Sequence, residues 1–158
     1  MAPMPRTLPG PPKYYRDLRG SAAAAGVRHS EPILFSTPEG ANVVNWKAYD
    51  RRRVDFCLQL GAVIEWKLRS AEAPATPLKL HPFHQHVSHF QIVNVTTAQA
   101  GGAAALAAIG DWRDTIPLYG NVRYTVRFVA PFEGLMMVHC HVLKHSDLGM
   151  MALARVVP

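Results

Sequence analysis

Residues 139–150 read H-C-H-V-L-K-H-S-D-L-G-M, and no other stretch constrains the fold as strongly. A cysteine stands between two histidines, a third histidine follows five residues after it, and a methionine ten residues after it. On an extended segment successive side chains point to opposite faces. His139 and His141 then share one face and Cys140 takes the other. A fold that uses all three is a sheet with something to bind on both faces. A second segment, H-P-F-H-Q-H from His81 to His86, adds three imidazoles and places His84 and His86 on a common face. Six of the eight histidines fall in these two short runs, a concentration that points to metal rather than to scattered core or surface histidines.

One thiolate, imidazoles and a thioether are the donor set of a blue-copper electron-transfer centre, in which two His and one Cys lie in a plane under a weak axial Met. Zinc also takes Cys and His, but structural zinc sites bring two or more cysteines at short spacing. Here a single cysteine is flanked by histidines, with Met150 at the axial offset, so copper is the expected cofactor. Cys140 would bind as the thiolate, and the imidazoles must be neutral to bind, so affinity should fall in acid. The chain through His139, Cys140 and His141 is a short electron path between two sites, which makes these three the candidate catalytic residues. Met136, Met137 and Met151 show that the region also uses Met for packing, and core filling is the competing role for Met150. His89 fits neither cluster and reads as a surface or supporting residue; His29 reads as solvated.

The rest of the chain alternates with period two. Val54, Phe56, Leu58 and Leu60 alternate with Asp55, Cys57 and Gln59; Ile64, Trp66 and Leu68 with Glu65 and Lys67; Val122, Tyr124, Val126 and Phe128 with Arg123, Thr125 and Arg127. Strands are also expected at 90–95, at 135–138 (delivering His139) and at 151–157. Residues 98–109 are Ala- and Gly-rich, with a loop tip at Gly101-Gly102 and a possible short helix over Ala103–Ala108. Many short strands with turns between them predict an all-β sandwich or barrel.

The length of 158 residues suits one domain, with a flexible Pro/Ala-rich leader over 1–31 and the folded domain over 32–158. Prolines at 3, 5, 8, 11 and 12 argue against a secretory signal in the first 30 residues, and no run reaches a membrane span of about 18 apolar residues. The net charge of +6, with Arg51, Arg52 and Arg53 adjacent, reads as a solvated basic surface; no nucleic-acid or membrane partner is expected. A disulfide between Cys57 and Cys140 would remove the thiolate that copper needs, so Cys57 is expected to be a buried small side chain or an incidental thiol.

Both histidine clusters, in this order and separation, resemble the two C-terminal copper signatures of the multicopper oxidases, the family of laccases and cuprous oxidases. The resemblance extends from about residue 32 to 157 and includes Asp-Trp-Arg-Asp-Thr from 111 and Tyr-Thr-Val-Arg-Phe at 124–128. The G-M-M ending is similar to bacterial-type members. The resemblance implies a cupredoxin-like Greek-key β-barrel. It implies that His81, Cys140 and His145 bind a type 1 copper with Met150 axial, His84 a type 2 copper, and His86, His139 and His141 a type 3 pair. It further implies oxidation of a small reducing substrate and reduction of O2 to water. The family's trinuclear cluster takes eight histidines, four of them from H-x-H pairs in a first domain, and this chain has no such earlier pair. It is therefore expected to supply half of that ligand set and to need the missing N-terminal cupredoxin domains or a homologous chain as partner. The alternatives are a stand-alone blue-copper electron carrier and a non-catalytic copper-binding domain.

Overall fold

The computed structural model describes residues 15–71, 79–96 and 107–158. Its alternating segments are strands, as expected. One sheet contains β1 (Val27–Ser36), β2 (Val43–Val44), β4 (Val63–Ser70), β6 (Phe90–Thr96), β7 (Trp112–Arg113) and β9 (Arg123–Val129), in the order β2-β1-β4-β9-β6-β7. The other contains β3 (Phe56–Gln59), β5 (His81–Gln85), β8 (Thr115–Leu118), β10 (Gly134–Cys140) and β11 (Met151–Val157), in the order β3-β11-β10-β5-β8. The chain changes sheet at almost every connection from β3 to β10, the long-range wiring of a Greek-key sandwich. Pairs β1–β4 and β3–β11 are parallel and the remaining strand pairs antiparallel. Two short helices, α1 (Ser21–Ala25) and α2 (Leu143–Asp147), and a 3-10 turn (Pro38–Gly40) complete the described elements; no described helix is long and apolar enough to cross a membrane.

Inward-facing residues of the two sheets make one core. In β9, Tyr124, Val126 and Phe128 are buried while Arg123, Thr125 and Arg127 face out, the pattern that period-two alternation demands. Trp66 is the hub: its ring lies 4.8 Å from that of Phe128, 5.9 Å from Phe56 and 6.0 Å from Phe83. Phe83 in turn touches Phe35 and Phe90, both at 5.7 Å, and Phe35 stands edge-on to His81 at 6.4 Å. Such aromatic pairs each add about 0.5–1.5 kcal/mol beyond area burial, and here they run from the middle of the core to the first histidine of β5.

Order begins earlier than the leader reading anticipates, and the expected boundary between residues 31 and 32 falls inside β1. Leu18 is fully buried; its N–H donates to Gln91 Oε1 at 2.6 Å and its carbonyl accepts from Arg127 at 2.8 Å. The first half of β1 is held by backbone pairing to β4 and shows its side chains mostly to solvent, so no apolar alternation marks it. His29 sits in that half-strand, half-buried rather than solvated. Residues 1–14 and the Gly101-Gly102 tip lie outside the described residues, as does most of the Ala103–Ala108 stretch; Ala107 and Ala108 are not helical. Cys57 is exposed, the incidental thiol of the two expectations. Within the arginine triplet, Arg52 pairs with Asp50, and Arg53 pairs with Asp55 at 2.6 Å and donates to the Ala48 carbonyl.

Arg127 and Glu65 form a nearly buried ion pair at 2.9 Å, their side chains 12% and 14% exposed. Removing one partner of such a pair strands the other charge. Arg127→Ala should cost about 3 kcal/mol in urea unfolding, whereas replacing both residues by apolar ones should recover most of that loss. Equal losses in the single and double variants would show that the pair is not what Arg127 contributes.

Candidate metal centre

Strands β5 and β10 lie side by side and antiparallel, with His84 opposite His139 and Phe83 opposite Cys140. On β5, His81, Phe83 and Gln85 are buried and His84 faces out; on β10, Met136, Val138 and Cys140 are buried and His139 faces out. The ladder continues past the strand ends, where the His86 N–H donates to the Met137 carbonyl at 3.0 Å and the His141 N–H to the Pro82 carbonyl at 2.8 Å. One strand pair therefore separates two donor groups, one inside the sandwich and one on its outer surface.

The inner group joins His81, Cys140 and His145, whose donor atoms all lie within 4.8 Å of one another. Cys140 Sγ is 3.8 Å from His81 Nδ1 and 3.6 Å from His145 Nδ1. A first-row metal about 2.3 Å from sulfur and about 2.0 Å from nitrogen, in a trigonal plane, requires S···N separations of about 3.7 Å. The donors fit that requirement as they stand. Burial pushes the Cys140 thiol up to about 11, so a metal must displace its proton to bind the thiolate. Met150 is fully buried beside the group: its carbonyl accepts from the Cys140 N–H at 3.0 Å and its N–H donates to the His145 carbonyl at 2.9 Å. α2 carries His145, half-buried, at its last turn. Gly149 then turns the chain at φ +113°, where a Cβ would stand 3.1 Å from the Asn42 carbonyl oxygen and 3.2 Å from the Ala48 Cβ.

The outer group joins His84, His86 and His139, again within 4.8 Å, with His86 Nε2 3.0 Å from His139 Nε2. His141 completes a set of four rings, its centroid 5.3 Å from that of His84 and stacked on His139 at 5.6 Å. His84 Nδ1 lies 2.8 Å from Thr115 Oγ1 and 3.1 Å from the Asp114 carbonyl oxygen. Donating its Nδ1 proton there leaves the Nε2 lone pair free for a metal, and His139, with Nδ1 3.0 Å from the Cys140 carbonyl, is arranged alike. Two facing Nε2 lone pairs repel unless a proton or a cation lies between them, so the cluster suits a cation. Burial, and after it the neighbouring imidazoles, hold His86 below the usual 6.5; His84 is lowered mainly by burial against the opposing pull of Asp114.

The eight expected ligands thus divide into two sets, with Met150 attached to the inner one through its backbone. His89 joins neither: it is exposed and hydrogen-bonded to the Tyr15 hydroxyl. Sequence reasoning missed Thr115 and Asp114 as the groups that orient His84, although both stand in the Asp-Trp-Arg-Asp-Thr run already singled out. It also missed Phe35 as the wall behind His81.

Two outcomes follow from this geometry. Gly149→Ala should destabilise the chain by about 1–3 kcal/mol, because a side chain at this φ is strained and its Cβ meets backbone; an unchanged urea midpoint would show that the loop relaxes freely. For the imidazoles, folded-state values below 6.5 mean that the unfolded chain takes up protons first as the pH falls. Metal-free stability should be level above neutrality and decline below about pH 6.5. His84→Gln with His86→Gln should flatten that decline, and an unaltered pH profile would assign it elsewhere.

Comparison with known proteins places this architecture. A family model described as multicopper oxidase matches residues 26–158. The chain is 28% identical over 113 residues to the multicopper oxidase mco of Staphylococcus aureus, covering 72% of this chain and 24% of that one. It is 34% identical over 130 residues to the iron transport multicopper oxidase fetC of Epichloe festucae, covering 77% of this chain and 20% of that one. Among solved structures, the multicopper oxidase from Campylobacter jejuni superposes with a TM-score of 0.70 at 27% identity, covering 82% of this chain and 30% of that chain. A laccase from Pediococcus acidilactici superposes with a TM-score of 0.71 at 26% identity, covering 82% and 27%. The two-sheet fold is the cupredoxin-like one expected, and the chain spans about a quarter of the length of the curated relatives it matches. With its family model covering all but the first residues, the chain belongs to the multicopper oxidases, a family of copper-binding oxidoreductases.

Proposed function

We propose that this chain is the C-terminal cupredoxin domain of a laccase-like oxidase, holding a type 1 copper and half of the ligands of a trinuclear copper cluster. The observation that carries the reading is the back-to-back placement of two donor groups on β10, with Cys140 inside the sandwich and His139 and His141 outside it. His81, Cys140, His145 and Met150 would hold the type 1 copper; His84 would hold the type 2 copper, and His86, His139 and His141 the type 3 pair. When bound, copper would supply one-electron redox chemistry between a small reducing substrate and O2.

The chain's own residues set the conditions for that chemistry. Phe35 and Phe83 are fully buried beside the inner donors and keep water from the thiolate. His139 and His141 are the covalent neighbours of Cys140, so one peptide unit on either side joins the thiolate to an outer imidazole. Thr115 and the Asp114 carbonyl hold the His84 ring in the tautomer that presents Nε2. His86 and His141 are exposed, which leaves the outer set open to ligands from a partner: N-terminal cupredoxin domains or a homologous chain. A simple electron carrier would need only the inner group; four clustered imidazoles on the opposite face favour the oxidase.

Copper reconstitution tests the reading. The chain alone should take one tightly held Cu(II) with an intense blue thiolate-to-copper absorption and the matching EPR signal. Cys140→Ser should lose the colour while the far-ultraviolet circular dichroism stays unchanged, and O2 reduction should require addition of a partner domain. A blue Cys140→Ser protein would overturn the assignment of the thiolate.

A further inference from the structure

On the outer face of the six-stranded sheet, Arg69 of β4 and Arg123 of β9 are direct cross-strand partners. Like charges in that relation repel. Neither has an ion pair among the described residues, and Glu65, the one carboxylate of β4, is occupied by Arg127 and Ser30. Both arginines line a cavity of about 270 Å³ together with Trp46, Ser70 and Asn121.

Trp46 is an unusual wall. Val44 and Lys47 exchange both backbone hydrogen bonds at 3.0 Å across a two-residue turn whose central residues, Asn45 and Trp46, have φ of +49° and +64°. Turns of this kind favour Asn followed by Gly. Asn45 fits: its amide side chain receives the Leu34 N–H at 2.8 Å and donates to the Pro32 carbonyl at 2.8 Å. Trp46 does not: a bulky side chain at positive φ is strained, and burial does not compensate, since it is 64% exposed. The turn thus holds an indole, against its own preference, at a cavity lined by two guanidinium groups that have no ion pair among the described residues.

We propose that this cavity binds a small aromatic carboxylate, with the two arginines on the carboxylate and the Trp46 indole against the ring. Guanidinium forks match carboxylate geometry and an anion between them cancels their repulsion, while an aromatic face rewards a ring over a ringless acid. Ser70, in the cavity wall, is the register partner of Phe35, whose ring stands 6.4 Å from that of His81. The proposal rests on the cavity and its arginines and stands apart from the copper reading.

Isothermal titration of the metal-free chain with 4-hydroxybenzoate should show saturable binding at one site that weakens with added salt. Acetate, which lacks the ring, and benzyl alcohol, which lacks the charge, should bind weakly or not at all. Arg69→Gln and Arg123→Gln should each weaken 4-hydroxybenzoate about tenfold or more, the loss expected for one charge-assisted hydrogen bond. Trp46→Gly, which relieves the backbone strain, should lose comparable affinity while the melting temperature holds or rises. Absence of saturable binding overturns the proposal, as does affinity unchanged in both arginine variants or in Trp46→Gly. Acetate binding as tightly as 4-hydroxybenzoate would reduce the site to a generic anion patch and overturns it equally.

Discussion

The register between β5 and β10 is the constraint on which the rest of this structure depends. With His84 opposite His139 and Phe83 opposite Cys140, every second side chain of both strands enters the core and the others reach the outer face. A slip of one residue would exchange the two sets. It would drive His84 and His139 into an apolar interior and bring Phe83 and Val138 into water, at about 1.5–3 kcal/mol for each large apolar side chain exposed. The aromatic chain from Phe128 through Trp66 and Phe83 to Phe35 fills the interior and forbids that slip. Gln85, a polar residue on the inward face of β5, donates from its amide to the Ser88 carbonyl and hydroxyl. Core packing, not any contact between the donors themselves, assigns the thiol to one face and the imidazoles to the other.

On the proposed reading, that division has opposite consequences for two kinds of metal donor. Burial disfavours the charged form of any group. For the imidazoles of His84 and His86 the neutral form is the ligand, so burial leaves them ready to bind at neutral pH. For Cys140 the ligand is the anion, and burial holds the thiol protonated with a pKa of about 11. The inner group must exchange a proton for a metal ion, whereas the outer group need not. Metal capture inside the sandwich is therefore the more strongly pH-coupled of the two events, rising in affinity as the pH rises.

Much of this was legible in the sequence because a period of two leaves a direct trace. The alternation in 63–70 and 123–129 marked β4 and β9, and the same alternation across His139-Cys140-His141 foretold which of these side chains share a face. What stayed hidden had no such trace. The first half of β1 buries little, so its polar residues look like linker although backbone hydrogen bonds to β4 hold it in the sheet. Leu18 is a lone apolar residue in a charged stretch, and only Gln91 and Arg127, more than seventy positions away, reveal it as an anchor. Thr115 and Asp114 meet His84 through the pairing of β5 with β8, a contact between segments about thirty residues apart. The spacing of 139–150 marked a segment that brings Cys140 and His145 together, but not why it needs Gly149, which follows from how closely Asn42 and Ala48 approach it.

On the proposed reading, the outer face makes assembly and metal binding one problem. His86 and His141 are exposed, and within their cluster imidazole nitrogens stand 3.0 Å apart. A partner that covers this face removes water from the rings and lowers their proton affinity further. The covered, metal-free cluster would then hold several facing lone pairs with neither proton nor solvent between them, an arrangement that costs energy until a cation enters. Covering the face therefore favours metal, and metal, by linkage, favours the covered state to the same extent. Protonation opposes both, because an imidazolium neither ligates nor tolerates desolvation. A domain of this kind gains its outer metals together with its partner and loses both together in acid, while the inner group, enclosed by the chain's own core, does not depend on that partner.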